Sequence, residues 1–194
     1  MRLGVIKVDI KADIAQAKRS LGMLERDVNK AAGRALNRVA TTTRKNANQT
    51  IRQRLNLNSR VVKAGLLIRT PMVGGKRSLV RDIQASGRPI PIRDYGAKGT
   101  RRGVTYAVKR GSRKLYSRGA YKGFIIDKYG RHVFTRIEPD PPGPAKARVK
   151  KAYGPSLPQY FVTRAVIAAM RLTVRERWPI EFRRAIEGIR LRKR

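Results

Sequence analysis

The stretch DIAQAKRSLGMLERDVNKAAGRALNRVATTTRKNANQTIRQRL, residues 13–55, decides the architecture of the amino-terminal part of the chain. Its apolar residues recur in steps of three and four, which is the spacing of one helical face. No proline interrupts the chain before Pro71, and Asp13 is placed to cap the first turn. The sequence therefore predicts one or two long helices over residues 13 to about 55. Their apolar face is Ile14, Ala17, Leu21, Leu24, Val28, Ala31 and Ala35, continued by Leu36 and Val39.

Two shorter elements flank these helices. Residues 3–10, LGVIKVDI, predict a short strand or an extended arm because they are rich in β-branched residues. Beyond the long helices, Asn56 and Asn58 offer a break, and Ser59 is placed to cap a short helix over residues 60–66.

From Arg69 to Tyr153 the chain consists of short β-prone runs separated by glycine and proline. The helical crossovers that parallel strands need are missing here, so the pattern predicts an antiparallel sheet of hairpins. Residues Asp127–Arg131 predict a hairpin loop with Gly130 at a positive φ, and Glu138–Pro144 predicts a rigid, extended connector. The candidate strands are Leu79–Ala85, Val104–Val108, Gly123–Ile126 and His132–Ile137.

Helical spacing returns after Pro158, and Pro179 is expected to break or kink the helix, with Trp178 anchoring that turn. The predicted buried face is Phe161, Ala165, Ala168 and Leu172, widened by Val162, Val166 and Ala169, and a final amphipathic piece carries Phe182, Ile186 and Ile189. The order of elements predicts an α+β fold, with the amino- and carboxyl-terminal helices packed on the antiparallel sheet. We expect one domain over residues 1–194, with a basic, glycine-rich hairpin extension at about 96–123.

The charge of the chain is its strongest functional signal. It carries 47 Lys and Arg against 12 Asp and Glu, a formal net charge of +35 on 194 residues. Such self-repulsion requires an anionic partner, of which nucleic acid is the commonest. An anionic membrane surface and acidic protein neighbours are the alternatives.

Composition also excludes several classes of protein. The absence of cysteine excludes disulfides, thiolate zinc sites and cysteine nucleophiles. No stretch approaches the roughly 18 apolar residues of a membrane span. The amino terminus lacks the continuous apolar region of a secretory signal. We therefore expect a protein made in the cytoplasm, with no membrane insertion.

Catalytic chemistry has little support in the sequence. His132 is the single histidine, and its β-prone surroundings indicate a solvated or core position on a strand. Glu138 and Asp140 are close in sequence but lie beside prolines, which favours a plain connector. Residues 74–78, GGKRS, resemble the end of a phosphate-binding loop only superficially and are interpreted as a turn. We therefore expect no enzyme, no metal site and no cofactor.

The segment Lys98–Lys122 is the candidate site for DNA phosphates. Its basic residues have no acidic residue among them, its glycines suggest flexibility, and Tyr106, Tyr116 and Tyr121 are interleaved for occasional stacking. The alternative is a mobile hairpin whose charges are solvated or dock on an acidic protein. The candidate phosphate contacts are Lys98, Arg101, Arg102, Lys109, Arg110, Arg113, Lys114, Arg118 and Lys122. A second basic cluster, Lys146, Arg148, Lys150 and Lys151, is placed to continue the same surface.

Two short stretches carry a family resemblance. Residues Ala31–Thr43, AAGRALNRVATTT, resemble the A-x-x-x-A-[IL]-N-R-V-A stretch of minor tail protein Z from lambda-type tailed phages. Residues Thr163–Ala165 and Arg175–Pro179, RERWP, resemble the end of the same family, where an R-E-R-L-P segment occurs. Trp178 stands where that family often has leucine. The resemblance covers the two helical ends of the chain, and the basic middle matches in character only.

The resemblance implies a structural virion protein at the head-proximal end of a phage tail, which completes the tail and joins it to the neck. It implies a homo-oligomeric ring, a hexamer, assembled in the host cytoplasm. Its expected partners are neck or connector proteins and tail-terminator or tail-tube proteins with acidic surfaces, together with the packaged DNA. The alternative function is a free, non-specific nucleic-acid-binding protein associated with ribosomes or the nucleoid.

Overall fold

The computed structural model describes Ala15 and residues 25–73, 76–118, 120–138 and 148–192. In this part of the chain a long amino-terminal helix, α1 (Glu25–Arg54), is followed by antiparallel strand pairs and then by a long carboxyl-terminal helix. The α+β class is thereby confirmed, as is the predicted helix from Glu25 onward. The predicted arm over residues 3–10 and the capping role of Asp13 lie outside the described residues.

The chain divides into two compact units. The first comprises Met1–Thr50, Lys63–Ser86 and Pro158–Arg194, and the second comprises Ile51–Val62 and Gly87–Leu157. The expectation of a single domain over residues 1–194 stays a prediction.

The first unit consists of helices and short hairpin strands. Strand β1 pairs antiparallel with β4, with Leu66 opposite Ala85, and β2 pairs antiparallel with β3. Its elements after α1 are α2 (Ser59–Gly65, which begins in the second unit), β1 (Leu66–Arg69), β2 (Met72–Val73), β3 (Lys76–Arg77), β4 (Asp82–Ala85), α3 (Pro158–Phe161) and α4 (Arg164–Arg190).

The core of the first unit joins the predicted face of α1 to α4. Three small residues of α1, Ala31, Ala32 and Ala35, let the two helices approach closely. On α4, the stacked rings of Trp178 and Phe182 belong to the same buried cluster. Polar contacts continue the interface: Asn46 Nδ2 donates to Thr173 Oγ1 at 2.8 Å, and Arg38 pairs with Glu181 at 3.3 Å. The buried cluster is Val28, Ala31, Ala32, Ala35, Leu36 and Val39 of α1 with Trp178, Phe182, Ala185, Ile186 and Ile189 of α4.

The predicted buried face of the carboxyl-terminal helix is confirmed at Phe161 and Val166 but is wrong at Val162, Ala168 and Leu172. Phe161 is buried, with 1% of its surface exposed, but Leu172 is 57% exposed. The reason is an interruption of the helix: Thr163 has an extended backbone with ψ at 144°, and α4 begins afresh at Arg164. The three-and-four spacing counted from Phe161 therefore does not continue into α4. The buried positions of the first half of α4 are Val166, Met170 and Thr173, whereas Val162 and Ala168 are exposed and Ala165 and Ala169 are half-buried.

Pro179 was predicted to break or kink the helix; the break is wrong, because α4 continues through Pro179, and the kink stays a prediction. Pro179 is exposed, so the carbonyl that loses its helical donor lies on the solvent side. Trp178 was predicted to anchor a turn at Pro179, but no turn forms there. Trp178 is instead buried within α4, and its ring stacks on Phe182 with a centroid distance of 5.0 Å and an interplanar angle of 13°. Continuing the spacing of Val166, Met170 and Thr173 would bury Arg177 instead of Trp178. The buried face of α4 therefore shifts around the helix between its two halves.

Asn58, not Ser59, caps α2. The Oδ1 atom of Asn58 accepts a hydrogen bond from the Arg60 N–H at 3.1 Å. Ser59 is itself the first residue of the helix, so the capping position precedes it. The prediction of Ser59 as the cap is wrong by one residue.

The second unit contains two small antiparallel sheets. One has the order β5-β6-β7-β8, built from β5 (Lys98–Thr100), β6 (Gly103–Tyr106), β7 (Lys114–Arg118) and β8 (Tyr121–Lys122). The other has the order β11-β10-β9, built from β9 (Phe124–Ile126), β10 (His132–Arg136) and β11 (Val149–Lys151). Short 3-10 helices span Ile92–Tyr95 and Asp127–Tyr129.

Both sheets contribute to one core in the second unit. Its buried residues are Ile92, Val104, Val133 and Ala152, with Ala97, Tyr106, Tyr116 and Ile125 packed partly buried against them. Since successive strand residues point to opposite faces, each sheet turns its other face away from this cluster.

The four strands predicted from the sequence are found in the two units, with errors at their ends. The hairpin loop is confirmed: Gly130 has a φ of 69° and follows the 3-10 helix between β9 and β10. The predicted strands at 79–85, 104–108, 123–126 and 132–137 contain β4, most of β6, β9 and β10 respectively. In the second unit the prediction missed β5 (KGT), β7 (KLYSR), β8 (YK) and β11 (VKK), which are short and all contain lysine. It also missed β1, since Leu66 had been assigned to the preceding helix. The connector after Glu138 lies outside the described residues.

Candidate nucleic-acid interface

The predicted phosphate-binding segment forms the β5–β8 sheet. Gly123, which follows β8, lies so close to the core that an added Cβ would come within 2.7 Å of the Tyr116 ring and 3.3 Å of Val133. The segment is therefore tied to the core of the second unit through Val104, Tyr116 and Gly123. The exposed basic side chains are Lys98, Arg101, Arg102, Lys109, Arg110, Arg113, Lys114 and Lys122, and Arg118 ends β7.

The antiparallel register separates these residues into two groups. Val104 lies opposite Tyr116, so the β5–β6 turn and the end of β7 lie at one end of the sheet. The loop between β6 and β7 lies at the other end, about 10–14 Å away for strands of this length. We call Arg101, Arg102 and Arg118 the turn group, and Lys109, Arg110, Arg113 and Lys114 the loop group.

Lys98 and Lys122 connect the two groups along the outward face. Lys98 lies opposite Thr105, and Lys122 lies opposite Ser117. Thr105 in turn lies opposite Leu115, and all of these residues alternate with the core positions Val104 and Tyr116. The outward face of the sheet therefore carries Lys98 and Lys122 together with Thr105, Ser117 and the exposed Leu115.

The tyrosines predicted to stack on bases are used differently. Tyr106 and Tyr116 pack against the core and meet edge to face, with ring centroids 6.1 Å apart and planes at 72°. They share the inward face with Val104, since strand side chains alternate. Tyr121 is half-buried. Tyr106 and Tyr116 thus pack between the β5–β8 sheet and the core of the second unit.

The loop group lies against the end of α1. The Asn56 N–H donates to the Val108 carbonyl at 2.9 Å, and the Arg110 N–H donates to the Arg54 carbonyl at 3.3 Å. Arg113 Nη1 donates to Thr105 Oγ1 at 3.4 Å, which directs this guanidinium along the sheet. An open cleft of about 510 Å³ is lined by Asn56, Ala107, Arg110, Gly111 and Arg113. With two guanidinium groups and an amide, it suits an anionic group that accepts hydrogen bonds.

Arg54 extends this end of the interface and is not among the predicted contacts. It is exposed at the last turn of α1, where a basic residue also stabilises the helix carbonyls. The bridge between Leu55 and Lys109 brings it to the loop group.

The second basic cluster belongs to the other sheet. Lys146 lies outside the described residues, whereas Lys150 and Lys151 lie on β11 and Arg148 precedes it. Arg148 pairs with Glu138 at 3.7 Å. The structure therefore does not bring this cluster onto the β5–β8 sheet.

His132 is held as a neutral side chain. Its Nε2 lies 2.9 Å from Lys151 Nζ. Burial lowers the pKa of His132, and the nearby charges of Arg93 and Lys151 lower it further, against a smaller raising effect of Asp94. The lysine therefore donates to a neutral imidazole at pH 7. Among the described residues, no group of three His, Cys, Asp or Glu side chains is placed to hold a metal ion.

Two further features bear on the candidate chemistry. Of residues 74–78, interpreted from the sequence as a turn, Lys76 and Arg77 form β3, in which Lys76 is the register partner of Val73, whereas Gly74 and Gly75 lie outside the described residues. Within the described ranges, no helix has the length and apolar character needed to cross a membrane.

Comparison with known proteins adds nothing to the resemblance drawn from the sequence. No protein family, no curated protein and no solved structure matches this chain.

Proposed function

We propose that this protein is a structural component of a phage virion, at the head-proximal end of the tail. It completes the tail, joins it to the neck and contacts the packaged DNA, and it has no catalytic role. The observation that carries the DNA contact is the outward face of the β5–β8 sheet, where exposed basic residues lie at both ends with no acidic residue between Lys98 and Lys122. The resemblance of Ala31–Thr43 and Arg175–Pro179 to minor tail protein Z supports the assignment to the tail.

The geometry of the basic sheet suits duplex DNA. The turn group and the loop group are separated by about the length of β6, roughly 10–14 Å. The major groove of B-DNA is about 12 Å wide. The two groups therefore fit phosphates that face each other across the groove, while Lys98 and Lys122 lie between them. Contacts of this kind fix position and carry no sequence preference.

Most of the positive charge has a different partner. A domain of this size is roughly 40 Å across, and duplex DNA of that length carries about 24 negative charges. A ring of six copies, each at +35, brings far more positive charge than this DNA neutralises. We assign the remainder to acidic surfaces of neck, connector, tail-terminator or tail-tube proteins. Exposed residues of α4 suit that role: Arg171, Arg175, Arg177 and Arg183.

The location of the protein tests the function directly. Quantitative mass spectrometry of purified virions, and of tails separated from heads, is expected to recover the protein in the tail fraction at a fixed ratio to the tail-tube protein. Recovery with ribosomes or nucleoid, and not with virions, would overturn the proposal and support the free nucleic-acid-binding alternative.

The DNA-contacting role of the basic sheet is tested by charge removal. Replacing Arg101, Arg102, Arg110 and Arg113 by Gln is expected to weaken binding to a fluorescent duplex at least about tenfold at low salt. The slope of log affinity against log salt is expected to fall by about 3–4, since each phosphate contact contributes about 0.9. Fluorescence anisotropy over a salt series measures both quantities.

The matched control removes the same charge elsewhere. Replacing Arg171, Arg175, Arg177 and Arg183 of α4 by Gln is expected to leave the salt slope close to that of the wild type. Equal losses in the two variants would mean that the net charge alone attracts DNA. The β5–β8 sheet would then not be the interface, whatever the location of the protein.

A further inference from the structure

The β11-β10-β9 sheet carries an aromatic and basic outward face. Val133 belongs to the core, so its neighbours His132 and Phe134 point to the opposite side of β10. The register places Phe124 on one side of Phe134 and Lys151 on the other, and both phenylalanines are half-buried. One row across the sheet thus presents two aromatic rings and an ammonium group.

Two tyrosines extend this face. The Tyr129 ring lies 6.1 Å from the Phe134 ring at 60°, and 60% of Tyr129 is exposed. At the other edge, Lys151 Nζ lies 5.6 Å from the centre of the Tyr153 ring, and 47% of Tyr153 is exposed. The left-handed backbone of Gly130, whose carbonyl accepts a hydrogen bond from Arg93 Nη1, ends the turn that positions Tyr129. We call Phe124, Tyr129, Phe134 and Tyr153 the aromatic face.

The charges around the aromatic face are positive. The described acidic residues of the second unit are Asp94, Asp127 and Glu138. Each is paired with an arginine: Asp94 with Arg93 at 3.3 Å, Asp127 with Arg131 at 3.4 Å and Glu138 with Arg148 at 3.7 Å. Lys128 and Lys150 are exposed, and each is adjacent in sequence to a residue of this sheet face. Lys151 lies in the same row as Phe134. A ligand that reaches these rings therefore meets cations at its edges.

We propose that the aromatic face binds single-stranded nucleic acid, with bases stacked on its rings and phosphates near Lys151 and the neighbouring cations. Exposed rings interleaved with basic side chains on an open sheet face provide stacking platforms for unpaired bases. In a duplex the faces of the bases are already stacked, so these rings favour single strands. The β5–β8 sheet has no such platform, because Tyr106 and Tyr116 point into the core. The two surfaces therefore differ in ligand, one taking the duplex backbone and the other unpaired bases.

The test compares variants that keep or lose the rings at positions 129 and 153, with the net charge of the protein unchanged. The full-length variant Tyr129→Ala/Tyr153→Ala is expected to bind a fluorescent oligothymidylate of about 12 nucleotides at least tenfold more weakly than the wild type. Its affinity for a duplex of the same length is expected to change less than about twofold. The matched variant Tyr129→Phe/Tyr153→Phe keeps both rings and is expected to bind the single strand within about twofold of the wild type. Circular dichroism verifies that each variant is folded.

Three results would overturn the inference. The first is unchanged binding of the single strand by the alanine variant, and the second is an equal loss for single strand and duplex. The third is displacement of the oligothymidylate from the wild type by a poly-glutamate peptide as effectively as by unlabelled oligothymidylate, which would indicate an acidic protein partner. Because these variants leave the arginines of the β5–β8 sheet in place, failure here is distinguishable from failure of the duplex interface.

Discussion

Phe161→Ala is expected to lower the free energy of unfolding by about 3–5 kcal/mol, whereas Leu172→Ala is expected to change it by no more than about 0.5 kcal/mol. Phe161 is 1% exposed in α3, so its removal leaves a cavity. Leu172 is 57% exposed on α4, so truncating its side chain removes little buried apolar surface. Helical spacing from Phe161 would instead make the two positions equivalent.

Urea unfolding followed by the fluorescence of Trp178 measures this difference. Trp178 is the single tryptophan and belongs to the first unit, as do both mutated positions. The two truncations therefore share one reporter and differ only in burial. Similar losses for Phe161→Ala and Leu172→Ala would mean that the helix is continuous from Phe161 and that Leu172 faces the core.

The face of α1 was predictable because one partner covers it along its length. Val28, Ala31, Ala35 and Val39 keep the three-and-four spacing that a single packing surface demands, and all are buried. The face of α4 was not predictable from spacing, because its buried side shifts between Met170 and Trp178. A periodicity argument assumes one buried side for one helix, and it fails where that side shifts along the helix, as it does between Met170 and Trp178.

The basic segment was predictable in composition but not in arrangement. The excess of Lys and Arg between Lys98 and Lys122 needs no structure to be noticed. Its division into the turn group and the loop group depends on the pairing of Val104 with Tyr116, which a linear sequence does not reveal. The same alternation turns Tyr106 and Tyr116 inward.

The aromatic face was missed for a related reason. Phe124, Phe134 and Lys151 are far apart in sequence and become one row only through the register of three strands. Two of the three residues of β11 are lysines, so no β-prone pattern indicated that it pairs with β10. Sites built from cross-strand rows depend on strand pairing, which composition leaves undetermined.

Trp178→Ala is expected to destabilise the first unit by about 3–5 kcal/mol. Trp178 is 6% exposed, stacks on Phe182 and belongs to the cluster in which α4 packs against α1. Trp178→Leu keeps a smaller apolar side chain at this position. Its expected loss is smaller, about 1–3 kcal/mol, because the cavity is only partly opened. Urea unfolding followed by circular dichroism at 222 nm measures both variants without the tryptophan signal.

Pro179→Ala is the matched neighbouring control, since it changes the next residue of α4 on the exposed side. It restores a helical N–H and removes the unfavourable helix propensity of proline, which is about 3 kcal/mol relative to alanine. Proline also restricts the unfolded chain, which offsets about 0.4–1 kcal/mol of that gain. No loss of stability is therefore expected from Pro179→Ala. If it destabilised the protein as much as Trp178→Ala, the geometry imposed by the proline, and not the burial of the indole, would hold α4 against α1.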